Sequence, residues 1–133
     1  MTNAKRAAEY LKECGIFYLA TADGIRPSLR PVREVCLFED ALYFLFMKED
    51  DIYGQLLNND SGEICAVHPD QSMIRISCRL REEKGKEARE ATIKLCEESL
   101  ENICPKGTKT VFRMDSGRAV ITDFTGKTEE FNI

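Results

Sequence analysis

Along this chain the spacing of apolar residues switches repeatedly between helical and alternating, and each switch marks an element. Ala4, Ala7, Ala8 and Leu11 recur at helical spacing, with Thr2 or Asn3 as the N-cap and Gly15 as the stop. That spacing predicts a short amphipathic helix from about Asn3 to Cys14. Ile16 to Ala22 reads as a buried strand closed by the turn pair Asp23-Gly24. A second extended run covers Pro27 to Phe38. Its two prolines cannot donate ladder hydrogen bonds, which suits an edge or bulged strand.

Glu39-Asp40 is a tight turn, and Leu42 to Met47 is the most apolar strand in the chain. Asp50-Asp51 marks a helix start, since carboxylates there cap exposed N–H groups and suit the macrodipole. This helix carries Ile52, Gln55 and Leu56 on one face and ends at Asn58-Asn59. Glu63 to His68 and Met73 to Leu80 are further strands, the second alternating strongly enough to have one wet face. A helix with Ala88, Ala91, Leu95 and Ser99 along one stripe follows, ended by Pro105-Lys106-Gly107. Thr108 to Met114 and Arg118 to Phe124 read as a hairpin about Asp115-Ser116-Gly117, before a last strand from Thr128 to Ile133. About seven strands and three helices, mostly joined by short turns, predict an α+β domain that is mainly β: a split antiparallel barrel with peripheral helices.

At 133 residues, 43% hydrophobic and 32% charged, the composition is that of one soluble globular domain, 1–133. No apolar run approaches the ~20 residues that span a bilayer. The first residues lack the apolar stretch of a secretory signal, so a cytoplasmic, non-membrane protein is expected. The net charge is −4, with cations interspersed among anions and no Trp, so nucleic acid is not an expected partner. Six cysteines form no C-x-x-C pair and His68 is the only imidazole, so zinc spacings are absent. Cys36, Cys65 and Cys78 lie in strand-like runs and are expected as buried, reduced thiols. Tyr18, Tyr43 and Tyr53 read as core or interface aromatics. There is no Ser-His-Asp order, P-loop or Gly-rich dinucleotide loop, and no side chain stands out as acid, base or nucleophile.

The order of motifs resembles a known family. Ala20-Thr21-Ala22-Asp23-Gly24 followed by Pro27-Ser28-Leu29-Arg30-Pro31-Val32 is similar to the opening hairpin of pyridoxamine 5′-phosphate oxidase-like proteins. Leu42-Tyr43-Phe44, then Ile52 to Asn59, resembles their third strand and following helix. Glu63-Ile64-Cys65-Ala66 and Ile74-Arg75-Ile76-Ser77 resemble the next two strands, and Asp123-Phe124-Thr125-Gly126 the closing turn. The resemblance implies an FMN-binding split barrel, a flavin-dependent oxidoreductase of unstated substrate, working as a homodimer with sites shared between subunits. It places Arg30 at the cofactor phosphate, with Val32 and Arg33 along the same wall. Phe46, Met47 and Lys48 would offer backbone groups to the flavin ring and phosphate, Gln55 on the following helix would join the cofactor-binding residues, and Met73 would touch the ring.

Phe46, Asp50 and Asp51 depart from the resemblance, since the family usually has Thr or Ser at the strand end and Lys or Arg before the helix. A carboxylate ~4 Å from a phosphate opposes it by about 4 kcal/mol at an effective dielectric near 20, before screening. One of these aspartates could instead take the phosphate position at the helix N-terminus. The alternative is therefore a split-barrel binding protein that has lost FMN and holds another small ligand or partner in the same groove. A third reading is haem binding through His68.

Overall fold

The computed structural model describes residues 1–99 and 107–133. In chain order its elements are α1 (Asn3–Cys14), β1 (Phe17–Asp23), β2 (Arg26–Val32), β3 (Cys36–Phe38), β4 (Ala41–Met47) and α2 (Asp51–Asn58). These are followed by β5 (Ser61–Val67), β6 (Met73–Glu82), α3 (Lys86–Ser99), β7 (Lys109–Thr122) and β8 (Thr128–Asn132). The eight strands form one sheet in the order β2-β1-β5-β6-β7-β4-β3, with β8 added to β7. All pairs are antiparallel. This is the split-barrel α+β architecture. Among the described residues, no helix is long and apolar enough to cross a membrane.

The ends of α1 follow from local chemistry. Thr2 accepts a hydrogen bond from the Lys5 N–H, and Gly15 closes the helix at φ 82°, a left-handed conformation that glycine adopts without strain. β6 keeps strict alternation, with Ile74, Ile76, Cys78 and Leu80 inward and Met73, Arg75, Ser77, Arg79 and Arg81 outward. The inward residues meet Phe17, Leu19, Phe44, Ile64 and Phe112, all fully buried, with Ala7, Ala8 and Leu11 of α1 and Ile52 and Leu56 of α2 closing the core.

β4 is buried on both faces. Leu42, Phe44 and Phe46 point into the barrel, whereas Ala41 and Tyr43 join Cys36, Ala88, Cys96 and Val111 beneath α3. Its near-continuous apolar run thus reflects two coverings within one chain, and this strand leaves no bare surface that calls for a second subunit.

Four local expectations are corrected. The run Pro27–Phe38 divides at Arg33-Glu34-Val35 into β2 and β3, although β2 does lie at the sheet edge. The hairpin at Asp115-Ser116-Gly117 is instead a bulge: Arg79 pairs with Ser116 and Leu80 with Met114, so Asp115 is the extra residue in a continuous 14-residue β7. A Cβ at Gly117 would sit 2.7 Å from Met114 Sδ, so a larger residue there would require that side chain to shift. The buried stripe of α3 is Ala88, Thr92 and Cys96, which leaves Leu95 40% exposed. Finally, Cys65 is exposed, because it lies on the outer face of β5. The expected Pro105-Lys106 stop and Cys104 lie outside the described residues, as does the Ser99 side chain.

Candidate functional site

β2 presents Ser28, Arg30 and Val32 as its half-buried alternates, while Leu29 and Pro31 face outward. Beyond Val32 the chain crosses to β3, and between this crossing, the end of β4 and the start of α2 lies a cleft of about 840 Å³. Arg30, Val32, Arg33, Phe46 and Met47 all line it, so five of the residues singled out in the sequence come together. Its other walls come from residues the sequence reading did not place there, including Glu34, Leu45, Glu49, Ile52 and Cys96.

Arg30 is held from several sides. Nη1 donates to Thr21 Oγ1 at 2.7 Å and to the Leu19 carbonyl at 3.3 Å. Nη2 donates to Ser28 Oγ at 2.8 Å and to Gln55 Oε1 at 2.9 Å. Gln55 Oε1 also accepts from Thr21 Oγ1 at 2.6 Å, so Gln55 fixes the arginine from behind rather than facing the cleft. Burial lowers the Arg30 pKa from its ordinary value, and Asp51 opposes that shift. Thr21 and Ser28 escaped the sequence reading. Their signal was present: Thr21 is a polar residue at an inward alternate of β1, directly opposite Ser28.

The carboxylates at the start of α2 divide the work differently from expectation. Asp50 is the N-cap by position but its side chain makes no capping hydrogen bond. Asp51 Oδ1 lies 3.6 Å from Arg30 Nη2 while remaining 70% exposed. Glu49 accepts a hydrogen bond from the Thr108 N–H at 2.6 Å, and that bond holds its carboxyl below the ordinary value. The cleft therefore sets Arg30 and Arg33 against Glu34, Glu49, Asp50 and Asp51.

Lys48, Gln55 and Met73 do not line the cleft. The Lys48 ammonium lies 5.6 Å from the centre of the Tyr53 ring. Met73 opens β6 on the outer face, paired with Val67 and Thr122. His68 is also elsewhere. Its Nε2 is 3.3 Å from Glu13, its Nδ1 accepts from the Asp70 N–H at 3.1 Å, and the Tyr10 ring lies 4.8 Å away. These contacts tie the end of α1 to the β5–β6 turn, and haem ligation by His68 would have to break them.

No protein-family profile and no curated protein matches the chain. Solved structures do. A pyridoxamine 5′-phosphate oxidase-related, FMN-binding protein from Nostoc punctiforme superposes with a TM-score of 0.63 at 15% identity, over 98% of this chain and 92% of that one. A heme binding protein from Mycobacterium smegmatis gives a TM-score of 0.75 at 13% identity, over 98% of this chain and 58% of that one. At such identities these two speak for the fold alone, and they define the class: a pyridoxamine 5′-phosphate oxidase-like split barrel. A NimC/NimA family protein from Clostridium acetobutylicum matches much more closely, with a TM-score of 0.89 and 31% identity over 98% of this chain and 92% of that one. The chain belongs to the NimC/NimA family.

Proposed function

We propose that this protein binds FMN in the cleft beside Arg30 and acts as a flavin-dependent oxidoreductase, assembled as a homodimer in the cytoplasm. The observation that carries the reading is an arginine fixed in place before any ligand arrives, at the edge of a cleft with an apolar wall. Thr21, Ser28, Gln55 and the Leu19 carbonyl orient its guanidinium and take up its four terminal N–H groups, so Arg30 offers a phosphate a fixed positive charge and its Nε–H. The residues fit the cofactor unequally. Val32, Leu45, Met47 and Ile52 suit the flat, apolar ring system. The phosphate fits by exchange, displacing the exposed Asp51 carboxylate from Arg30.

When bound, FMN supplies the electron transfer. This chain's own residues hold the phosphate end, keep water from the ring along the apolar wall, and limit access through the acidic rim. Met73 would touch flavin only across a subunit boundary, since it lies on the outer face of the sheet. On that face Tyr18, Leu29, Val67 and Met73 stay exposed, at 47%, 68%, 62% and 43%. Strand register places Tyr18 beside the exposed Cys65, and Val67 beside Met73, so they form one surface suited to a second copy.

The test is an FMN titration of purified protein followed by gel filtration. Co-elution of a yellow flavin with the protein is expected, and Arg30→Ala should weaken binding by about ten- to a hundredfold, as for loss of a charged hydrogen-bonding partner. Protein that stays colourless at saturating FMN would defeat the proposal. That outcome would favour the second reading, a binding protein without flavin, for which the four carboxylates lining the cleft are the supporting observation.

A further inference from the structure

Two thiols meet where α3 packs on β3, and one of them belongs to the cleft. Cys36 Sγ lies 3.4 Å from Cys96 Sγ, although the two residues are 60 positions apart in the chain. They are 2% and 1% exposed, and Cys96 lines the cleft. A disulfide needs a sulfur separation of ~2.0 Å, so closure asks for an approach of about 1.4 Å between helix and strand. The hydrogen bond with Cys96 lowers the Cys36 thiol below its ordinary value against the opposing effect of burial. Thr92, one turn before Cys96 on the same buried stripe, carries a fully buried hydroxyl with no hydrogen-bond partner among the described residues. The backbone carbonyl of the same residue lies 3.9 Å from Cys36 Sγ.

The other described cysteines differ. Burial pushes the Cys78 thiol up to about 12 and the Cys14 thiol up to about 11, which leaves little thiolate at neutral pH. Cys65 lies on the outer face, away from this pair.

We propose that Cys36 and Cys96 form a redox-active dithiol, which a hydroperoxide arriving through the cleft converts into an intrachain disulfide. Cys96, the sulfur at the cleft, attacks a peroxide oxygen. The O–O bond breaks, a sulfenic acid forms on Cys96, and its thiol proton leaves with the departing oxygen as water or alcohol. The Cys36 thiolate then attacks the Cys96 sulfur. An S–S bond forms, the S–O bond breaks, and the hydroxyl leaves as water with the proton released by Cys36. Two thiols lose two electrons in total and one peroxide gains them. The product ties α3 to β3 beside the cleft, and a dithiol reductant reverses it.

The proposal is tested by treating the full chain with hydrogen peroxide and mapping its cysteines by mass spectrometry after non-reducing digestion. The expected result is a Cys36–Cys96 linked peptide, formed about tenfold or more faster than Cys78 is modified, and lost on reduction. In Cys36→Ser, Cys96 should stop at a sulfenic acid that a 1,3-diketone traps. Cys36→Ala, checked for its fold by circular dichroism, should give the same trapped adduct. Two results would overturn the assignment: both thiols surviving peroxide that oxidises Cys65, or either one linking instead to Cys14, Cys65, Cys78 or Cys104. Both are read on the flavin-free chain, so they are distinguishable from a failure of flavin to bind.

Discussion

Arg30 meets the cleft with both terminal nitrogens already hydrogen-bonded, and the one neighbour free to leave is Asp51. Because Asp51 is 70% exposed, solvent screens its pairing with Arg30. The interaction therefore falls near the ~0.2–1 kcal/mol of surface ion pairs rather than the full Coulomb value. Asp51→Asn should accordingly tighten FMN binding by only about two- to fivefold. Isothermal titration of both proteins checks this, and weaker binding by the variant would mean that Asp51 helps to hold the ligand. Cys78 offers a second residue-scale test, in alkali. Its thiol titrates near 9.0 when free of the fold and is pushed up to about 12 by burial. Above pH 9 the unfolded chain loses this proton while the folded one keeps it. Stability from this group is thus complete below that pH and is lost as pH rises toward the folded value. The loss approaches about 4 kcal/mol for a shift of this size. Urea midpoints measured across this range should fall steeply for the native chain and less for Cys78→Ala.

At the scale of elements, the two helix starts behave differently. Thr2 caps α1 through a real hydrogen bond, whereas Asp50 caps α2 in position only. Thr2→Ala should lower stability by about 1 kcal/mol and Asp50→Ala by less than about 0.5, read from urea denaturation. What was legible in the chain follows the same division. Period and punctuation located the three helices and most of the strands, because Gly15, Asp23-Gly24 and Glu39-Asp40 turn the backbone locally. The misreadings occur where a signal has two structural meanings. Asp-Ser-Gly suits both a turn and a bulge, and only the partner strand β6, continuous past it, decides. The stripe of α3 was misplaced because Leu95 outranks Thr92 and Cys96 in hydropathy, while the space over β3 admits the smaller pair. Five cleft residues could be named through the family resemblance that the order of motifs carries. The holders of Arg30 could not, because Thr21 and Gln55 reach it only through cross-strand and helix–sheet contacts.

For the whole molecule, the double covering of β4 moves the case for association to the opposite side of the barrel. The exposed row through Tyr18, Cys65 and Val67 should be the subunit contact. Val67→Asp should then convert the proposed dimer into a monomer in analytical ultracentrifugation, since a charge buried without a partner is strongly unfavourable there. If FMN sites are shared between subunits, the same variant should also lose flavin. A monomeric variant that keeps full FMN affinity would show instead that each barrel carries a complete site.

β7 is the strand to which β6, β4 and β8 all pair, and it enters late in the chain. Until it docks, β4 and β6 each lack a neighbour along one edge, and the phenylalanine cluster has no Phe112. Completing the sheet therefore requires a late strand to pair between strands far apart in sequence, a topology of high contact order. Refolding should be slow for a chain of this length, with a transient that binds hydrophobic dyes and aggregates as protein concentration rises.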